Sequence, residues 1–118
     1  MSNLAFVKAC YNELYGGGPA PTKATVQSHL ASAVHCHDYD NGFNSSVPGD
    51  IADHLLSIRP EVKEHPSATF KEDPTGVVYC LDHMTRPNAG SCLDRVTVVD
   101  ENGQPKISDI EICYLESP

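Results

Sequence analysis

The sequence predicts an α+β domain in which three helices wrap one face of a curved, mostly antiparallel sheet. Two observations carry that prediction. The first half alternates short helical patterns with turns, while the second half reads as successive strands joined by short connections. The stretch 92–115 then shows two period-two runs around Asp100-Glu101-Asn102-Gly103-Gln104-Pro105. Asn-Gly supplies the positive φ of a tight reversal, and Pro105 cannot continue a ladder. A strongly curved sheet closed by helices leaves a concavity between them.

Taken in order, Leu4, Val7, Tyr11 and Leu14 recur at helical spacing, which predicts a helix over 3–15 capped by Ser2 or Asn3. Gly16-Gly17-Gly18-Pro19 ends it. Thr22 caps a weaker second helix carrying Val26 and Leu30. Ala33–Asp38 is a short strand, and 39–46 is a polar loop. Pro48-Gly49-Asp50 opens a third helix, with Ile51, Leu55 and Ile58 on one face, and Pro60 stops it. Strands follow at 67–72 and 77–85, and the hairpin at 92–115 completes a single domain, 1–118.

Alternation assigns faces in the hairpin. Ile110, Ile112 and Tyr114 point one way, Asp109 and Glu111 the other. On the preceding strand Cys92, Asp94, Val96 and Val98 share a face. With Val96 and Val98 inward, Asp94 is inward too. A carboxylate on the apolar face of a sheet is costly unless it is paired or protonated, which makes Asp94 a candidate functional residue. Tyr11 lies on the inner stripe of the first helix.

The chain has 118 residues, 16 acidic and 8 basic, with a formal charge of −8. That balance argues against nucleic acid and anionic membrane as partners. No apolar run reaches the length of a membrane span, and the start lacks a signal-peptide pattern. The five cysteines, at 10, 36, 80, 92 and 113, include no C-x-x-C pair, so reduced thiols in a cytoplasmic protein are expected. Cys80 and His83 fall on opposite strand faces, and no zinc spacing is present, so neither a metal nor another cofactor is expected.

The element order, the ending D-E-N-G-Q-P-K-I-S-D-I-E-I-C-Y, the Gly49-Asp50-Ile51-Ala52 helix start and the A-V-H-C-H-D strand ending in Asp38 resemble the nuclear-transport-factor-2-like superfamily. Its ketosteroid-isomerase-like and SnoaL-like polyketide-cyclase-like members are the most similar. The resemblance implies a cone-shaped fold with a central pocket, and a site within it. Tyr11 sits where the isomerases have an oxyanion-hole tyrosine, Asp38 where they have the general base, and Asp94 where a carboxylic acid is kept neutral as a second donor. His37, Val96, Val98, Ile110, Ile112 and Tyr114 would line the pocket. Asp38, at a loop end, is expected to be the wetter acid and to keep its charge, leaving the proton on Asp94.

The function implied is an isomerase, cyclase or dehydratase working by proton transfer on a small molecule. The alternative is a non-catalytic ligand-binding or protein-interaction module on the same fold, favoured by the short chain and few aromatics. Leu93, Val99, Cys113 and Leu115 share the opposite sheet face, and with the resemblance they imply a homodimer.

Overall fold

The structure is a computed structural model that describes residues 2–61, 69–83 and 91–115. Three helices, α1 (Asn3–Tyr15), α2 (Lys23–Ser28) and α3 (Pro48–Ser57), accompany six strands: β1 (Leu30–Asp38), β2 (Phe43–Ser45), β3 (Thr69–Glu72), β4 (Val78–His83), β5 (Ser91–Glu101) and β6 (Gln104–Leu115). A short 3-10 turn, Arg59–Glu61, follows α3. The strands form one open sheet in the order β2-β1-β6-β5-β4-β3. All neighbours are antiparallel except β1 and β6. The predicted α+β class and the central position of the last hairpin agree with this arrangement.

The caps follow from local chemistry. The Ser2 hydroxyl accepts from Ala5 N at the start of α1, and the Thr22 hydroxyl accepts from Thr25 N at the start of α2. Pro48 occupies the first turn of α3, where its missing N–H costs nothing. Arg59 donates from Nε to Leu14 O at 2.8 Å and from Nη2 to Gly18 O, satisfying carbonyls at and beyond the end of α1.

Two elements differ from the sequence reading. Leu30 does not extend α2; the helix ends at Ser28, and Leu30 opens β1 opposite Ile107 of β6. The loop at 39–46 contains β2, a three-residue edge strand pairing Cys36 with Ser45 and Asp38 with Phe43. The beginning of the predicted 67–72 strand and the end of the predicted 77–85 strand lie outside the described residues.

The β5–β6 turn has positive φ at both central residues, Asn102 at 57° and Gly103 at 80°. That geometry matches the twist of a two-residue hairpin. Further along, Thr97 pairs with Asp109 but Val98 with Ile107, so Ser108 is an extra residue on β6. The bulge shifts the alternation by one residue. Ile107 therefore points to the same face as Ile110 and Ile112, and all three are buried.

The core lies between this face and the helices. Val34, Cys36, Val78, Cys80, Val96 and Ile110 meet Val7, Tyr11, Leu14, Ile51 and Leu55. Helix α1 lies over β3, β4 and β6, whereas α3 lies over β1. Each half of the sheet thus receives side chains from a different helix. Among the described residues no helix is long and apolar enough to cross a membrane.

Candidate functional site

The registers place one row of side chains across the whole sheet. Phe43 of β2 pairs with Asp38 of β1, Asp38 with Ile112 of β6, Ile112 with Asp94 of β5, Asp94 with Cys80 of β4, and Cys80 with Phe70 of β3. Residues directly opposite one another share a face. Asp38 and Asp94 therefore stand on the same inner face with Ile112 between them. Two interstrand spacings put their backbones about 9.6 Å apart.

Each acid is met by one helical side chain. Tyr11 of α1 donates its hydroxyl to Asp94 Oδ2 at 2.5 Å. Its ring sits edge-on to Phe70, with centroids 5.8 Å apart. At the other end His54 of α3 lies 2.8 Å from Asp38 Oδ2 through Nε2, and its ring stacks on Phe43 at 4.0 Å. The row thus carries two acid–ring pairs, Tyr11–Asp94 and His54–Asp38, each packed against the phenylalanine at the adjacent sheet edge.

Asp38 is fully buried. Oδ1 accepts from the backbone N–H groups of Asp40 and Asn41, each at 3.1 Å, while Oδ2 accepts from Asn41 Nδ2 at 2.7 Å in addition to the His54 contact. These donors compensate a buried negative charge. The expectation of a wet loop-end acid is corrected: Asp38 is sealed, and Asp94 is the more exposed of the two. A carboxylate with both oxygens occupied is poorly placed to take a proton from a ligand. It is well placed to hold an imidazole. With Asp38 as acceptor, His54 carries its hydrogen on Nε2, leaving the Nδ1 lone pair open. Among the described residues nothing bonds Nδ1 of His54.

Asp94 also receives the Cys92 thiol on Oδ1 at 3.4 Å. Burial, followed by the charge of Asp94, pushes the Tyr11 hydroxyl well above the ordinary tyrosine value of 10.0. Burial likewise pushes the Cys36 thiol up to about 12, with Asp38 and Asp94 adding to the shift. Cys36 is therefore an inert part of the floor and no nucleophile at neutral pH.

Of the expected lining residues, Val96, Ile110 and Ile112 are buried on the inner face, and Val98 is partly buried against the same cluster. The side chain of Tyr114 lies outside the described residues. His37 is a correction. It shares the outer face with His35, stacks on Tyr39 at 3.7 Å and pairs opposite Glu111. A strand cannot aim neighbouring residues at one side, so inward Asp38 excludes inward His37. The residue the sequence reading missed is His54. Its spacing from Ile51 and Ile58 places it on the apolar stripe of α3, which was the available signal.

A small cavity of about 20 Å³ lies between α1, α2 and β6, lined by apolar parts of Tyr11, Leu14, Val26, Leu30, Leu55 and Ile110. It has room for one water-sized occupant and touches neither Asp38 nor Asp94.

No protein-family model matches the chain, and no curated protein matches it in sequence. Solved structures do match its fold. An NTF2-like protein of unknown function from Shewanella baltica is 11% identical, with 96% of this chain and 94% of that chain covered and a TM-score of 0.52. A putative polyketide cyclase from Xanthomonas campestris is 16% identical, covering 94% and 91%, with a TM-score of 0.54. A hexachlorocyclohexane dehydrochlorinase is 13% identical, covering 93% and 83%, with a TM-score of 0.53.

The Tyr11 environment gives a testable stability profile. A raised folded-state value means that the folded protein holds the phenol proton more tightly than the unfolded chain. The resulting stability is fully present below pH 10.0 and is lost as pH rises through the higher folded-state value. Urea unfolding at alkaline pH should show this decline, and Tyr11→Phe should flatten it. An unchanged slope in Tyr11→Phe would contradict the assignment.

Proposed function

On this nuclear-transport-factor-2-like fold we propose a small-molecule enzyme that works by proton transfer, as an isomerase, cyclase or dehydratase. The observation carrying this reading is the transverse row, with two carboxylates on one inner face and a different ring held against each. Such an arrangement separates a basic end from an acidic end, which is what moving a proton across one small molecule needs. The polyketide cyclase and dehydrochlorinase among the fold neighbours support a catalytic reading.

In this proposal His54 is the general base. Nδ1 removes a carbon-bound proton next to a carbonyl, while Asp38 holds the ring by Nε2 and compensates the imidazolium that forms. Asp38 thus acts through His54 and takes no proton itself. At the other end we place a proton on Asp94 at neutral pH, so that it donates to the developing oxyanion while Tyr11, whose single hydroxyl hydrogen is given to Oδ2, holds the carboxyl in place. The partly exposed position of Asp94 suits a group that meets a substrate oxygen, and its 2.5 Å bond from Tyr11 fixes the direction of the carboxyl.

The second reading is a non-catalytic ligand-binding or protein-interaction module. The sealed Asp38 shell and the small size of the apolar cavity favour it. Hydrogen–deuterium exchange next to the carbonyl of small cyclic ketones, followed by NMR in heavy water, separates the two. The enzyme reading predicts exchange faster than in buffer, with His54→Gln and Asp38→Asn each slowing it by about 10²-fold or more. Asp94→Asn retains a donor and most of the rate, whereas Asp94→Leu loses about 10²-fold. Exchange no faster than in buffer, or an unimpaired His54→Gln variant, contradicts it.

We also propose a homodimer through the outer sheet face. Leu81, Leu93 and Cys113 form an apolar row there across β4, β5 and β6, each partly exposed, and Val99 is exposed nearby. Light scattering at micromolar concentration should give twice the chain mass; a monomeric mass removes the claim.

A further inference from the structure

We propose that the β1–β2 turn is a positioning device for His54, with Asn41 and Phe43 as its working side chains. The inference rests on the reading of His54 as the base and deepens it. The device begins where the chain leaves β1. Tyr39 N donates to Ile112 O at 2.9 Å, which anchors the first turn residue on the central strand β6. Gly42 then adopts a φ of 66°. That left-handed conformation costs glycine little and brings the chain back antiparallel. Phe43 consequently returns opposite Asp38, on the same inner face.

Asn41 bonds Asp38 twice. Its backbone N–H reaches Oδ1 at 3.1 Å and its Nδ2 reaches Oδ2 at 2.7 Å. The first bond belongs to a common turn pattern and fixes the chain. The second is different, because it falls on the oxygen that meets His54 Nε2 at 2.8 Å. With Asp40 N and Asn41 N on one oxygen and the Asn41 amide on the other, the carboxylate plane is fixed by three donors before His54 is considered. Rotation of Asp38 away from the imidazole would break the Asn41 side-chain bond.

Phe43 fixes the remaining freedom, the plane of the imidazole itself. Its ring is parallel to that of His54, with an interplanar angle of 0° and centroids 4.0 Å apart. A ring held flat against a neighbour cannot swing about its Cβ bond without losing that contact. Asp38 sets which nitrogen carries the hydrogen, and Phe43 holds the ring where Nε2 meets Asp38, so the stack supports the tautomer as well as the direction in which Nδ1 points. Asn41 and Phe43 are positioning residues: neither contributes a proton-transferring group.

The test reads the tautomer directly and needs no substrate. Nitrogen-15 NMR of labelled histidine near pH 8 reports the ratio of Nε2–H to Nδ1–H forms for neutral His54. The wild-type protein should hold the Nε2–H form in large excess. Asn41→Ala and Phe43→Leu should each lower that ratio by about threefold or more, the loss expected when a supporting hydrogen bond or contact is removed. Backbone amide spectra verify folding. Where Asn41→Ala unfolds, Phe43→Leu decides alone, since it leaves the Asp38 donors in place. Folded variants with the wild-type ratio overturn the positioning role while leaving His54 as the base untouched. A shifted ratio together with normal ketone exchange in His54→Gln would keep the positioning role and overturn the base reading.

Discussion

The burial of Asp38 is the constraint on which the rest of this structure depends. A carboxylate with no exposure on the apolar face of a sheet would be prohibitive without donors. Two donors are backbone N–H groups of the turn that follows, so that turn must curl back within three residues. The curl creates β2, which brings Phe43 over the row. Another partner, His54, must come from α3, which fixes how that helix lies over β1. Removing one member would leave a buried charge short of a partner, a change that costs several kcal/mol in comparable settings.

The opposite end of the row repeats the principle with different chemistry. Asp94 is paired by a phenol and lies partly open, with a thiol as a further neighbour. The asymmetry between a sealed acid with four donors and a partly exposed acid met by a phenol and a thiol is the basis of the proposal that the two ends play opposite roles. Ile112 stands between them and keeps direct contact between the carboxylates from forming.

Much of this was legible in the sequence because the relevant signals are local. Asn102-Gly103 states its hairpin outright, and the alternation through Val96 and Val98 places Asp94 inward. Tyr11 follows from helical spacing with Val7 and Leu14. What escaped depended on pairings that no periodicity announces. Phe43, Asn44 and Ser45 look like a loop because a three-residue edge strand has almost no periodicity, and only pairing with 36–38 makes it one. His54 sits on the apolar stripe of α3, but a stripe read through its aliphatic residues passes over a histidine. The Asp38 shell was misjudged because proximity to a loop suggested water, whereas the loop itself supplies the donors. The Ser108 bulge, which turns Ile107 inward, likewise has no sequence signature of its own.

The proposed chemistry requires one inner face to hold two acids in opposite protonation states. Carbon-13 NMR of aspartate carboxyl groups at neutral pH, assigned by Asp38→Asn and Asp94→Asn, tests it most directly. A carboxylate signal for Asp38 and a neutral carboxyl signal for Asp94 are expected in the same sample. Two carboxylate signals would make Tyr11–Asp94 an ordinary phenol–carboxylate pair, remove the oxyanion donor and leave the ligand-binding module as the better description of this fold.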